Sequence, residues 1–232
     1  MEAALSIFKL SFLLSLLSGG SDFIDSRSQP GQVGTIPPSC IRVECPSYEL
    51  VYAGNGYEIH RYNATVWIST EPIQGSSLNE ASGTGWNELS DYMSGNNEYH
   101  QRIERILPYI TQVSQNLSTF MVSFFVPKEY QPDPPPPVNN LHVQRWDPTY
   151  AAVKQFGGYV ADHTIGNKVA ELEASLQGTV WAKAIEKSRE TGSNWAYTVA
   201  QFSWPFQWDR RVNEIWFPFE MDDEEIVNIV TQ

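Results

Sequence analysis

The sequence predicts an α+β domain built from two βαββ units, and three observations support this fold class. The pattern apolar-x-apolar-x-Arg-aromatic, followed by Asn or Asp, occurs at Arg61 and again 84 residues later at Arg145. A helical pattern follows each copy, and two strand patterns follow each helix. The closing strands, residues 124–127 (FFVP) and 215–218 (IWFP), also resemble each other. We therefore expect a pseudo-twofold βαββ repeat in which Arg61 and Arg145 occupy equivalent places in superposable halves.

The elements of each unit follow from the spacing of their apolar residues. Tyr57 and Ile59 share one strand face, whereas Val66 and Ile68 share the opposite face, so a bulge or tight bend is expected near Asn63. The predicted helices cover residues 77–94 and 164–190, and the later strands cover residues 102–113, 119–127, 195–204 and 212–220.

Composition and charge limit the possible functions. The chain has 232 residues, of which 41% are hydrophobic and 13% aromatic, so it can bury a substantial core and is not globally disordered. Its net charge of −12 and its pI near 4.7 argue against nucleic-acid binding and against adsorption on an anionic membrane. A single anionic ligand stays possible, because nearby arginines outweigh a distant negative field.

The chain divides into four segments. Residues 1–20 are predicted to be a signal peptide, because Lys9 precedes an apolar run of residues 10–17 that is too short to span a membrane. This predicts a secreted protein, extracellular or vacuolar, without a stable membrane span; an uncleaved anchor is the alternative. Residues 21–42 are a flexible lead-in, residues 43–221 the domain and residues 222–232 a solvated acidic tail.

Three local features have a structural and a functional interpretation. Cys40 and Cys45 are expected to form a disulfide, with a haem thiolate at Cys45-Pro46 as the alternative. Asn63 and Asn116 begin N-glycosylation sequons at predicted turns. Residues 132–137 (PDPPPP) are expected to be a rigid connector rather than a ligand for a polyproline-binding module.

The first helix offers a possible site for a flat ligand. It opens with the capping-box pair Ser77 and Glu80. Trp86 lies at the edge of its apolar stripe, and its neighbours one turn away are small. These neighbours are Ser82, Gly83 and Ser90. A large aromatic ring among small residues leaves space beside it; the alternative is that Trp86 is part of the core.

No pattern indicates catalysis. The four histidines, His60, His100, His142 and His163, are far apart and have no metal-ligand spacing. The sequence contains no G-x-S-x-G, no Gly-rich phosphate loop and no H-E-x-x-H. The protein is therefore not expected to be an enzyme, and no metal site is predicted.

A set of short motifs in a fixed order carries a resemblance to a known family. The motifs are Ile36-Pro37-Pro38-Ser39-Cys40, Cys45-Pro46-x-Tyr48-Glu49, Gly56-Tyr57-Glu58-Ile59, Val66-Trp67-x-Ser69-Thr70, Asn96-Asn97-Glu98, Gln131-Pro132-Asp133-Pro134, Ala196-Tyr197-Thr198-Val199-Ala200 and Arg211-Val212-Asn213-Glu214-Ile215-Trp216. Together they resemble the SOUL haem-binding protein family, in its plant secretory-type branch. The resemblance implies a distorted eight-stranded antiparallel barrel or sheet with two helices. It also implies binding of haem or another tetrapyrrole in a shallow apolar groove along the first helix.

The predicted ligand site combines the resemblance with the residues around Trp86. Trp86, Ser82, Gly83 and Ser90 are expected to line it, with Arg61 close to a propionate. Some family members place a proposed axial His where this chain has Arg61, and here the order is His60-Arg61, so His60 is a candidate ligand expected to face away. The family motif Met-Thr-Ala-Pro is replaced by residues 105–108 (RILP).

Two functions follow as expectations. The first is a tetrapyrrole carrier or buffer in the secretory pathway, with a small-molecule tetrapyrrole as the partner. The second is a secreted module that interacts with protein or carbohydrate on the same fold, without haem.

Overall fold

Ten antiparallel strands form one curled sheet, and the helices pack on one of its faces. The computed structural model describes residues 36–192 and 194–230, and within them the chain has ten strands, four α-helices and a 3-10 turn at Pro38–Ile41. The predicted signal peptide lies outside the described residues. The strands are β1 (Tyr48–Ala53), β2 (Glu58–Tyr62), β3 (Thr65–Thr70), β4 (Ile73–Gln74), β5 (Tyr109–Ser114), β6 (Thr119–Phe125), β7 (Leu141–Trp146), β8 (Thr149–Gly157), β9 (Trp195–Gln201) and β10 (Val212–Phe219). The helices are α1 (Leu78–Met93), α2 (Asp162–Leu176), α3 (Val180–Glu190) and α4 (Asp223–Val230).

The predicted α+β class is confirmed, and the number of elements is larger than expected. The strands beyond the expected eight are the edge strand β1 and the two-residue strand β4. The second predicted helix is interrupted after Leu176, because Gly178 adopts a φ of +78° and Thr179 accepts a hydrogen bond from the Ala182 amide to cap a new helix. This gives α2 and α3 in place of one helix over residues 164–190.

The order of the strands shows the pseudo-twofold repeat. The sheet runs β1-β2-β8-β10-β9-β5-β6-β3-β7. If β2 is exchanged with β7, β3 with β8, β5 with β9 and β6 with β10, the order from β2 to β7 is the same when read from the other end. The two halves therefore have the same topology, and the β5–β9 pair lies at their centre.

Register extends this equivalence to single residues. Arg61 is paired with Tyr150, and Arg145 is paired with Val66, which is the same pairing after a shift of 84 residues. The predicted equivalence of Arg61 and Arg145 is confirmed. Phe125 opposes Trp67, and Pro218 opposes Ala151, which is the residue equivalent to Trp67. Phe125 and Pro218 are therefore equivalent in the sheet, two residues away from the alignment that the similar sequences of the two closing strands suggest. The offset of two residues keeps every side chain on its face of the sheet.

Side chains alternate between two cores. On one face, helix residues pack against strand residues such as Val113, Val199 and Ile215. On the other face, Ile110, Ala200 and other residues fill the inside of the curl, and Cys40, Val43 and Cys45 cover them. The disulfide between Cys40 and Cys45 is present, as predicted.

Two segments predicted from sequence have a different structure. The first is residues 102–108, predicted as part of a strand; β5 begins only at Tyr109, because Ile103, Ile106 and Leu107 are all buried and have no period-two spacing. The second is the predicted acidic tail, which forms α4. Its acidic residues 222–225 are exposed, but Ile226 packs into the helix-side core and holds the segment there.

The proline-rich connector packs against the end of α1. The Tyr92 hydroxyl donates to the Pro135 carbonyl over 2.7 Å, and the Glu98 amide donates to the Pro136 carbonyl over 3.0 Å. Pro134 and Pro135 are buried. These contacts match the expectation of a rigid connector.

Gly85 sets the distance between α1 and the sheet. A Cβ atom at Gly85 would lie 2.5 Å from Cβ of Val122, whereas a Cβ atom at Gly83 would meet nothing within 4 Å. We expect Gly85→Ala to lower the free energy of unfolding by about 1–3 kcal/mol, since α1 must move away from β6. The matched change Gly83→Ala should raise it by about 0.5–1 kcal/mol through helix propensity. Denaturant unfolding of both variants measures this, and equal effects of the two changes would contradict the close packing.

The Cys40–Cys45 disulfide closes a short loop over the inner core. We expect Cys40→Ser with Cys45→Ser to lower the free energy of unfolding by about 2 kcal/mol, because the unfolded chain regains the entropy of a loop of roughly six residues. Urea unfolding of the oxidised protein and of the double variant gives the difference. Equal free energies of unfolding would contradict this prediction, because they would show that the loop of the unfolded chain is equally restricted without the bond.

Candidate functional site

Helix α1 is held at its N-terminus by both halves of the molecule. The Ser77 hydroxyl accepts a hydrogen bond from the Glu80 amide over 3.2 Å. The carboxylate of Asp162, the first residue of α2, accepts hydrogen bonds from the amides of Leu78 and Asn79 over 2.7 and 3.3 Å. A carboxylate at this position satisfies free amides and favours the helix dipole. The face of α1 that carries Trp86 therefore has a fixed orientation.

A groove of about 700 Å³ lies beside the C-terminal half of α1. Its walls come from α1, from the irregular segment before β5, from the turn after β6 and from the loop between β9 and β10. The lining residues are Trp86, Met93, Ser94, Arg102, Ile103, Glu104, Arg105, Glu129, Tyr130, Trp204 and Phe206. We call it the α1 groove.

Aromatic rings form one wall of the α1 groove. Trp86 is half-buried, and its ring meets those of Tyr109 and Phe124 edge-on at centroid distances of 4.7 and 4.8 Å. Trp204 lies 6.4 Å from Trp86, and the ring of Phe206 is parallel to that of Trp204 within 4°. These contacts fix the Trp86 ring from behind and leave its outer side in the groove.

Charged side chains of both signs surround the rings. Arg102 and Arg105 are exposed at the rim, together with Glu104 and Glu129. Exposed guanidinium groups bind carboxylates in a forked geometry. The groove thus combines an aromatic wall with two cations and two anions along its edge.

Of the residues predicted for the site, only Trp86 lines the α1 groove. The Ser82 hydroxyl is buried in a hydrogen bond of 2.7 Å with Thr111, and Gly83 is exposed. Ser90 is half-buried on α1. Ser82 and Gly85 therefore bring the helix close to the sheet, and the open space lies toward Arg102 and Trp204.

Arg61 lies in a different cleft. This cleft of about 590 Å³ is formed mainly by the start of β8, the end of α3 and the segment after β10. The Arg61 guanidinium is 3.5 Å from the Asp223 carboxylate and 5.8 Å from the centre of the Tyr150 ring. The Tyr150 hydroxyl donates a short hydrogen bond to the same carboxylate. The structure does not bring Arg61 together with Trp86.

His60 is enclosed in the inner core. Its Nε2 atom is 2.6 Å from the Glu58 carboxylate, its Nδ1 atom is 3.2 Å from the Tyr62 hydroxyl, and its ring stacks on Tyr48 at 3.9 Å. It is 1% exposed. Both ring nitrogens have partners, so His60 is not placed to contact a ligand in the α1 groove.

Glu214 lies close to this buried group. It accepts hydrogen bonds from the Trp216 indole over 2.7 Å and from the Gln155 amide over 3.3 Å. Burial raises the pKa of the Glu214 carboxyl above its usual value, while His60 and the two hydrogen bonds oppose the rise. The inner core thus contains a carboxyl group that resists ionisation.

A family model for the SOUL heme-binding protein matches residues 43–218, which include the strands of the sheet except for the last residue of β10. The chain belongs to the SOUL family. The match covers both halves of the repeat and all the residues of the α1 groove.

Curated relatives named as heme-binding proteins are similar over about 70% of the chain. The mouse protein named Heme-binding protein 2 is 28% identical over 166 residues, which are 69% of this chain and 76% of the relative. Human Heme-binding protein 2 is 25% identical over 168 residues, with the same coverage. Heme-binding protein 1 of Xenopus tropicalis is 26% identical over 170 residues, covering 71% of this chain and 84% of the relative.

The described residues also bear on metal binding, thiolate ligation, membrane spanning and glycosylation. Within residues 36–192 and 194–230, no three His, Cys, Asp or Glu residues are grouped to hold a metal ion. The disulfide leaves no thiolate at Cys45 for a haem iron. In the same described ranges, no helix is sufficiently long and apolar to cross a membrane. Asn63 and Asn116 are exposed between strands, where a glycan could be attached. Their glycosylation stays a prediction.

Sequence reasoning missed most of the groove. Arg102 and Arg105 fall in the segment predicted as a strand, where alternate residues would have pointed to opposite faces. Trp204 and Phe206 fall in residues 204–208 (WPFQW), whose high aromatic content between two strands was the one available signal. Their proximity to Trp86 depends on the β5–β9 pairing, which no local pattern specifies.

The raised pKa of Glu214 has a consequence for stability. A folded-state pKa above the ordinary value of 4.5 stabilises the fold below about pH 4.5, and this contribution is lost as pH rises through the folded-state value. Glu214→Gln places a side chain there that is neutral at every pH. We therefore expect the free energy of unfolding of this variant to decline less over this rise in pH than that of the wild type. Urea unfolding at a series of pH values compares them. Glu224→Gln, a change at an exposed carboxylate, is the control, and parallel curves for wild type and Glu214→Gln would contradict the prediction.

Proposed function

We propose that this SOUL-family protein binds haem or another tetrapyrrole non-covalently in the α1 groove. The observation that carries the proposal is the Trp86 ring, fixed by Tyr109 and Phe124 and open to a groove of about 700 Å³. This volume lies within the range of small-molecule sites. The names of the mouse, human and frog relatives, all heme-binding proteins, support the same ligand class.

Apolar contact supplies most of the binding free energy in this proposal. The Trp86 ring offers a flat surface to the face of a porphyrin, and the Trp204 ring, inclined by 79° to it, borders that surface. Burying about 200 Å² of apolar porphyrin surface is worth on the order of 5 kcal/mol at 25 cal/mol per Å². The costs of association reduce this value.

Arg102 and Arg105 take the place first assigned to Arg61. Both are exposed at the rim of the groove, where propionate groups of a bound porphyrin would extend into water. Arg61 lies in the other cleft, beside Asp223. We therefore assign the propionate contacts to Arg102 and Arg105.

The described lining of the groove offers no His or Cys to a haem iron. His60 is held by Glu58 and Tyr62 in the inner core, and the Met93 side chain, which could also ligate iron, is buried. The Tyr130 hydroxyl is the remaining side chain of the lining that could ligate iron. A tetrapyrrole held mainly by its faces and carboxylates suits a carrier or buffer rather than a catalyst. Together with the predicted signal peptide and the disulfide, this supports a carrier role in the secretory pathway.

The direct test is titration of the protein with hemin. We expect a change in the Soret band and quenching of tryptophan fluorescence. Trp86→Ala should weaken binding about tenfold or more, because it removes a ring that contributes a large contact area. Circular dichroism checks that the variant is folded. Equal hemin affinity in wild type and Trp86→Ala would place the site elsewhere, and no Soret change in the wild type would favour a module that does not bind haem.

A paired comparison separates the two candidate propionate partners. Arg102→Gln with Arg105→Gln should weaken hemin binding by roughly threefold or more, as expected for exposed ion pairs, and should leave binding of protoporphyrin dimethyl ester unchanged. Arg61→Gln is the matched control and should retain wild-type affinity. The opposite pattern would return the propionate contact to Arg61.

A further inference from the structure

The loop between β9 and β10 holds two aromatic side chains in solvent. Trp208 is 88% exposed and Phe206 is 77% exposed. Both lie in residues 204–208 (WPFQW), which project between the last residues of β9 and the first of β10. Exposed single apolar residues are common, but two large aromatic rings on one short loop form a concentrated apolar surface. We call residues 204–210 the aromatic tip.

The aromatic tip is held in a fixed shape. The buried guanidinium of Arg211 donates hydrogen bonds to the carbonyl oxygens of Trp204, Pro205 and Gln207, over 3.0, 3.4 and 2.9 Å. The Gln207 side chain donates to the carbonyl oxygens of Asp209 and Arg210 over 2.8 and 3.3 Å. The exposure of Trp208 and Phe206 is thus set by internal hydrogen bonds of the loop. A preformed loop binds a partner without a large ordering cost.

Other apolar residues are exposed near the tip. The 3-10 turn Pro38–Ile41 forms the opposite side of a cleft with Trp204, Gln207 and Arg210. Ile41, the last residue of this turn, is 81% exposed. Ile41 therefore adds one exposed apolar side chain on the turn that shares this cleft with the tip.

The charge around the tip differs from that of the whole protein. The two clefts that its residues line contain four cationic and three anionic side chains, in a chain with a net charge of −12. The cations are Arg42, Arg102, Arg105 and Arg210, and the anions are Glu104, Glu129 and Asp209. In the cleft of Arg61, by contrast, four carboxylates face one arginine. The cleft of Arg61 thus has an excess of carboxylates, whereas the clefts of the aromatic tip do not.

We propose that the aromatic tip docks the protein on a zwitterionic phospholipid surface. The rings of Trp208 and Phe206 enter the interfacial layer, where tryptophan is favoured, and the surrounding arginines contact lipid phosphates. Phosphocholine headgroups fit this end, because they offer phosphate without the net negative charge that would repel an acidic protein. Phe206 also lines the α1 groove, so a docked molecule presents the groove next to the lipid. Docking does not require a bound tetrapyrrole.

The test is co-sedimentation of the protein with phosphatidylcholine vesicles, with tryptophan fluorescence as a second measurement. We expect the wild type to bind, with a blue shift in emission and quenching by brominated lipid. Trp208→Asn should lower the vesicle partition coefficient about tenfold or more, since it removes the most exposed large apolar ring. Vesicles that contain phosphatidylglycerol should bind no better than pure phosphatidylcholine.

Leu117→Asn is the matched control. Leu117 is 56% exposed in the β5–β6 turn, whereas the tip leaves the sheet at Gln201, which pairs with the opposite end of β5. This variant should bind vesicles like the wild type. Hemin titration of Trp208→Asn without lipid should give wild-type affinity, so a failure of docking is distinguishable from a failure of tetrapyrrole binding.

Three results would overturn the proposal. The first is no binding of the wild type to phosphatidylcholine, and the second is equal binding by wild type and Trp208→Asn. The third is self-association in analytical ultracentrifugation that Trp208→Asn abolishes while vesicle binding is absent, which would make a second copy of the chain the partner of the tip.

Discussion

The antiparallel pairing of β5 with β9 is the interaction on which the rest of the structure depends. It joins the two halves through the ladder from Tyr109 and Gln201 to Gln112 and Thr198. Side chains of both halves meet on both faces of the joined sheet, so neither core is complete in one half. An isolated half would expose the apolar faces of its four strands to water, at a cost proportional to the apolar area. The pairing also brings Trp204 to the side of α1.

The two halves share a topology but have different chemistry at equivalent places. Arg145 donates to the carbonyl oxygens of Gln131 and Pro132 and so fixes the connector between the halves. Arg61, its counterpart, faces the carboxylate of Asp223 on α4. Carbonyl partners neutralise no charge, whereas a carboxylate does, so the same arginine position serves a connector in one half and an acidic cleft in the other. Repetition of the backbone thus left the side chains free to diverge.

This divergence gives the molecule two unlike ends. The end that contains the α1 groove and the aromatic tip carries aromatic rings and nearly balanced charges, while the cleft of Arg61 is rich in carboxylates. A long-range negative field keeps an acidic protein soluble and repels anionic surfaces. Contacts at the aromatic end then depend on burial of apolar surface and on arginines close to their partners. Both act over short distances, and at physiological ionic strength the distant negative charges are largely screened and oppose them little. Ligand binding and lipid docking use the same adjoining surfaces in our proposals.

The sequence by itself determined the elements whose signals are local. Period-two and helical spacing located α1 and most strands, the repeat at Arg61 and Arg145 predicted the pseudo-twofold arrangement, and the short spacing of Cys40 and Cys45 predicted the disulfide. Tertiary structure decided the rest, because burial depends on partners that are distant in the chain. Packing on the core made residues 102–108 irregular and turned the acidic tail into α4. Strand pairing likewise separated Arg61 from Trp86 and placed Arg102, Arg105 and Trp204 around that ring, since register between distant strands is set by the whole sheet.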